Sequence, residues 1–248
     1  MSETQPLTYD AFTALALADP TVVGLVLFGS QAHEGMPTEH SDHDLWVVLS
    51  DSGASDLDRF HGYRSPALDL VVTSLADFKA AGMPGFVRYA LARGRVVLDR
   101  AGGEIAAAVA AKQRLEPKEA FETAAERLDD YANMVLRSVK NHRDGRRLAA
   151  RLDAAESIGY LLELLFALER RPRPYNKHLE WELARYPLPQ WDSDTLLDTI
   201  GRITAAGEPM PQRRLFAEVE AQARQAGHST TLDAWGDDLH LMRPDSAA

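Results

Sequence analysis

The sequence predicts an α/β domain followed by an all-helical one. Three observations carry that reading. Before residue 100, short β-type apolar runs alternate with clusters rich in Gly, Ser, Pro and Asp, the punctuation of strands. Beyond residue 115, apolar residues recur at steps of three and four, the period of a helix. The composition, 45% hydrophobic and 26% charged over 248 residues, suits a soluble globular chain with room for one large domain or two small ones.

Taken in order, a helix is expected first, with Thr8 as its cap, Phe12, Leu15 and Ala16 as its apolar face, and a stop at Asp19-Pro20. Strands are expected over 22–28, 45–49, 67–73 and 95–98, with a helical stretch over 75–92 broken around 82–85. In the second half, Phe121, Ala125, Leu128, Ala132, Val135 and Val139 define one helical stripe. Leu148, Leu152, Ala155, Ile158, Leu162 and Leu165 define another, ending at Pro172 and Pro174. Shorter helices are expected at 177–185, 193–205 and 211–226. The domains are thus 1–100 and 101–230, with a tail over 231–248.

Composition excludes several functions. With no cysteine, disulfide scaffolds, thiol nucleophiles and thiolate metal sites are ruled out. The net charge of −10 is shared by both halves and is ill-suited to gripping a nucleic-acid backbone, so nucleic acid is not an expected partner. No apolar run approaches the roughly 20 residues needed to cross a membrane, and the amino-terminal stretch lacks the pattern of a signal peptide. A cytoplasmic location with no membrane partner is expected.

The informative residues lie on the strands. The first strand runs directly into Gly29-Ser30; Ser41-Asp42-His43-Asp44 then opens the second, and Asp69 is a lone carboxylate in the third. Side chains two apart on a strand share a face, so Asp42 and Asp44 project together, roughly 6–7 Å apart. Paired carboxylates repel and lose hydration unless a cation sits between them, and an all-oxygen donor set selects a hard ion such as Mg²⁺. If the third strand lies beside the second, Asp69 completes the cluster, and three carboxylates are the usual protein share of a two-metal phosphoryl-transfer site. Gly29 lets backbone approach a phosphate, and Ser30 adds a hydroxyl and an amide. An isolated D-x-D is ordinarily a solvated turn; the specificity lies in the order of the pieces, each tied to a strand.

In that order they resemble the nucleotidyltransferases related to DNA polymerase beta, over residues 20–100. Within that superfamily the chain is most similar to the small bacterial aminoglycoside- and lincosamide-type enzymes, in which a helical bundle follows a mixed-sheet catalytic domain. The resemblance implies transfer of a nucleoside monophosphate, AMP from ATP, to a hydroxyl with release of pyrophosphate. It implies that Gly29 and Ser30 hold the triphosphate and that Asp42 and Asp44 bind two Mg²⁺ ions. Asp69 would bind the catalytic ion and help activate the hydroxyl. The basic, proline-stiffened run Arg171–Lys177 resembles the segment that brings a lysine, here Lys177, to the nucleotide. The chain departs from many relatives in having Gln31, Ala32 and His33 where a basic residue follows Gly-Ser.

The acceptor is read as a small molecule, an aminoglycoside- or lincosamide-type antibiotic. The alternatives are a protein hydroxyl, as in antitoxin-type enzymes, and a non-catalytic regulatory protein on the same fold. Glu156 and Glu163 are candidates for a second base. Two patterns are set aside. His40 and His43 flank Asp42 in a zinc-like way, but His43 alternates with the aspartates and should point away from them. Arg137 and His142 match the loose R-x4-H pattern of a ribonuclease family, but basic residues at a helix end are explained by its dipole.

Overall fold

The computed structural model describes residues 7–51, 55–83, 85 and 87–244. The first six residues, the middle of the expected break at 82–85 and the last four of the expected tail lie outside them. The chain divides into two compact units, one of residues 1–114 with 174–181 and the other of residues 115–173 with 182–248.

In the first unit, α1 (Tyr9–Ala18) is capped by Thr8, whose hydroxyl accepts from the Ala11 amide. It buries Phe12 and Ala16 but leaves Leu15 47% exposed, since so short a helix covers only a narrow face. Four strands follow: β1 (Val22–Phe28), β2 (His43–Leu49), β3 (Leu68–Ser74) and β4 (Arg95–Asp99). The sheet order is β3-β2-β1-β4. β1 pairs antiparallel with β2 and β4, whereas β2 and β3 run parallel, so the sheet is mixed. Both faces are covered. On one face Phe12 and Ala16 pack with Leu25, Leu27, Leu45, Val47, Leu68 and Leu70. The other carries Val26, Phe28 and Val48 against Phe78 of α2 (Leu75–Ala80), Leu91 of α3 (Arg88–Ala92), and Ile105, Ala108 and Val109 of α4 (Glu104–Lys112). A Cβ on Gly24 would lie 2.6 Å from Ile105 Cδ1, so the strand admits α4 only because it has a glycine there. For that reason this unit runs past residue 100, to Arg114.

The second unit is helical. Its two long helices are α5 (Pro117–Arg143) and α6 (Arg147–Leu168). They pack on each other, with Gly145 at positive φ in the turn that joins them. α7 (Leu179–Arg185) begins among the residues of the first unit and ends in the second, where α8 (Ser193–Ala206) packs on α6 and α9 (Pro209–Gln225) packs on α5. Along α5 the expected positions Leu128, Ala132, Val135 and Val139 are buried. At its start, however, Ala120 and Ala124 take the inward face, while Phe121 is 51% exposed and stacks on His228. Ala125 is only half-buried.

α6 departs further from expectation. Leu148 and Leu152 are 72% and 61% exposed, and Ala155 is exposed too. The inward positions of its first half belong to Ala150, Asp153, Ala154 and Ser157. Their polar atoms are satisfied within the unit: Asp153 accepts from Asn141, Ser157 donates to the Ala154 carbonyl, and Ser138 of α5 donates to the Ala150 carbonyl. Among the described residues no helix is long and apolar enough to cross a membrane.

Candidate active site

Three strand ends of the first unit meet at one end of the sheet. Phe28, the last residue of β1, is the register partner of Asp44 in β2, and Asp44 is in turn the partner of Asp69 in β3. Parallel register puts both carboxylates on one face of the sheet, the face that carries Trp46 and Val48 farther along β2. Asp42 precedes the strand by one residue and lies near enough for its charge to act on Asp44. His43 is directed oppositely and stacks on Tyr9 of α1, with ring centroids 4.3 Å apart. His40 is exposed and meets the adjacent Glu39 at ion-pair distance.

Gly29 leaves β1 at φ 69°, a conformation that disfavours any side chain, and a Cβ there would fall on the Asp44 carboxylate. Ser30 begins a single 3-10 turn, Ser30–Ala32, and donates to Ser41 Oγ at 2.8 Å. Ser41 Oγ also accepts from the Thr38 amide, and Gln31 donates to the Ser41 carbonyl. Ser41, which sequence reasoning gave no role, is the tie that holds the Gly-Ser turn beside the aspartates. His33 contacts the Arg93 carbonyl at 2.5 Å and packs on Trp181.

The electrostatics follow from this crowding. Burial pushes the Asp44 carboxyl up to about 6; the charges of Asp42 and Asp69 add to the rise, and those of Lys177 and Arg64 offset part of it. Burial, with the charge of Asp44, also raises the Tyr175 phenol. Both Tyr175 and Lys177 belong to residues 174–181, the second stretch of this unit, where Trp181 donates to the Glu34 carbonyl at 3.2 Å. Lys177 is exposed, on the turn Asn176–His178. Asp69 is engaged by Arg64, whose Nε lies 3.1 Å from its Oδ2. Arg64 escaped notice in the sequence, although Ser65-Pro66 is a turn signal that folds the preceding residue back toward Asp69.

The donor set suits a hard divalent ion: oxygen ligands only, on adjacent strands, with like-charge repulsion to relieve. Among the described residues no three Asp, Glu or His side chains converge closely enough to enclose an ion by themselves.

In the second unit, Glu163 is held by Arg127 at 3.3 Å and Arg173 at 4.0 Å, whereas Glu156 is exposed. Arg171 is tied to the fully buried Glu182. Arg137 pairs with Asp153, and His142 meets Arg147, so both are engaged in local contacts.

No protein-family model matches the chain, and no curated protein does. A solved structure of a nucleotidyltransferase-like protein from Exiguobacterium sibiricum is similar, with 12% identity over 93% of this chain and 76% of that chain and a TM-score of 0.43.

Proposed function

We propose that the protein is a Mg²⁺-dependent nucleotidyltransferase that moves AMP from ATP to a hydroxyl of a small molecule and releases pyrophosphate. The observation that carries this reading is the meeting of Asp44, Asp69 and Gly29 at one end of the sheet, where a half-buried carboxyl is raised to about 6 beside two other acids. So costly an arrangement has a physical rationale if positive charge is delivered to it. Asp42, Asp44 and Asp69 would hold Mg²⁺, which when bound supplies charge at the α-phosphate and at the leaving pyrophosphate. Gly29 leaves the Asp44 carboxylate room at the end of the strands, and Ser30 would offer its hydroxyl and amide to a phosphate there. Lys177 would add positive charge toward the triphosphate, and Asp69 would orient the attacking hydroxyl and draw on its proton. The chemistry is mainly positioning and electrostatics, with in-line attack on the α-phosphorus.

A net charge of −10 favours a cationic acceptor, and aminoglycoside- or lincosamide-type antibiotics combine ammonium groups with hydroxyls. The test is incubation with Mg²⁺, each of the four nucleoside triphosphates and a panel of such compounds, read by pyrophosphate release and by mass. An AMP adduct of a panel member is expected, lost in Asp42→Asn and Asp44→Asn. Transfer to a protein instead would establish the antitoxin-type alternative. Absence of transfer to any acceptor, or full activity in both variants, would refute the assignment of the site.

A further inference from the structure

Arg64 is built into the site by the backbone. Residues 61–65 fold back on β3: the Leu70 amide donates to the Tyr63 carbonyl, the Gly62 amide to the Leu70 carbonyl and the Ser65 amide to the Leu68 carbonyl. This ribbon places Arg64 directly opposite Asp69 in an antiparallel bridge, where cross-strand side chains share a face. The Arg64 side chain is 80% exposed and that of Asp69 24%. Because Asp69 is also the register partner of Asp44, the Arg64 guanidinium lies at the end of the sheet that carries both acids.

From this we infer that Arg64 is a resident counterion at Asp69 which a divalent ion must displace, so that the ion loads together with the nucleotide. The inference rests on the reading of Asp42, Asp44 and Asp69 as ion ligands. A guanidinium on the Asp69 carboxylate neutralises it at rest and repels a second cation at the same oxygens. Solvent surrounds the arginine, so the exchange requires a side-chain rotation and no rearrangement of the sheet. A triphosphate lowers the barrier twice, by adding oxygen ligands for the ion and by offering the displaced guanidinium a new anionic partner. Arg64 is thus a positioning residue that makes ion affinity conditional on nucleotide.

The experiment is Mn²⁺ binding, followed by electron paramagnetic resonance, to the full chain with and without a non-hydrolysable ATP analogue. The wild type is expected to bind Mn²⁺ weakly alone and more tightly with the analogue. Arg64→Gln should bind Mn²⁺ alone on the order of tenfold more tightly, so the enhancement by analogue shrinks. Arg64→Lys, which keeps the charge, should stay close to wild type, a contrast that a merely structural role would not produce. Unchanged or weaker Mn²⁺ binding by Arg64→Gln, with normal uptake by the wild type and analogue, would overturn the inference alone. Absence of Mn²⁺ uptake by the wild type even with analogue would overturn the site reading and this inference together.

Discussion

The carboxylate of Asp44 occupies the space into which a side chain at Gly29 would have to project. The two residues are neighbours across the end of β1 and β2, so the glycine that turns the chain is also what allows the acid to lie at that end of the sheet. Gly29→Ala therefore incurs both the strain of a positive φ and displacement of Asp44. A loss of about 1–3 kcal/mol is expected, together with loss of nucleotidyl transfer. Thermal melting and pyrophosphate release measure the two effects; an alanine variant with wild-type stability would contradict the packing described.

Asp44 should make the stability of the protein depend on pH. Its carboxyl keeps its proton up to about 6 in the folded chain, against an ordinary value of 3.8. Between those values the folded state binds more protons than the unfolded, so stability falls as pH rises through that window, and the full penalty stands above it. Asp44→Asn removes the penalty. It should raise stability near neutral pH by on the order of 1 kcal/mol after allowance for screening, and the gain should fade as the pH is lowered below 6 toward 4. Melting curves of both proteins across that range test it, and a pH-independent difference would argue against burial and carboxylate repulsion as the cause.

Lys177 is exposed, so its removal should leave the fold intact while weakening the nucleotide. Lys177→Met should raise the KM for ATP about tenfold, the loss of one partly screened charge contact, with a melting temperature near that of the wild type. An unchanged KM would place the lysine outside the nucleotide site.

Two leucines of α6 should be nearly indifferent to truncation although they look like core in the sequence. Leu148→Ala and Leu152→Ala are expected to change stability by less than about 0.5 kcal/mol. Leu164→Ala, at a position with no exposure, should cost about 2–5 kcal/mol. Denaturant unfolding distinguishes them, and equal costs would show that the exposed leucines are covered by something else.

Asp42→Asn should resemble Asp44→Asn in function with a smaller gain in stability, since Asp42 lies ahead of the strand and adds to the Asp44 penalty through its charge, a lesser cause than burial. Turnover is expected to fall by about two orders of magnitude or more with removal of one ligand charge, and the melting temperature to change little. Steady-state kinetics beside a melt separates the two effects.

Residue order alone determined the strands and much of the helical content, because alternation of apolar runs with turn residues and a period of three and four are local properties. The opposite directions of His43 and Asp44 followed from the two-residue repeat of a strand. What the sequence could not contain was anything set by partners distant along the chain. The inward face of α6 is chosen by how closely α5 approaches, which favours Ala150, Ala154 and hydrogen-bonded Asp153 and Ser157 over bulkier leucines. Likewise Arg64 reaches Asp69 through a fold-back of the backbone, Ser41 ties the Gly-Ser turn through its hydroxyl, and residues 174–181 join the sheet unit although the helices α5 and α6 separate them from it in sequence. Periodicity reports which residues prefer burial; only the packed chain decides which of them obtain it, because burial and charge pairing depend on neighbours that the local pattern does not encode.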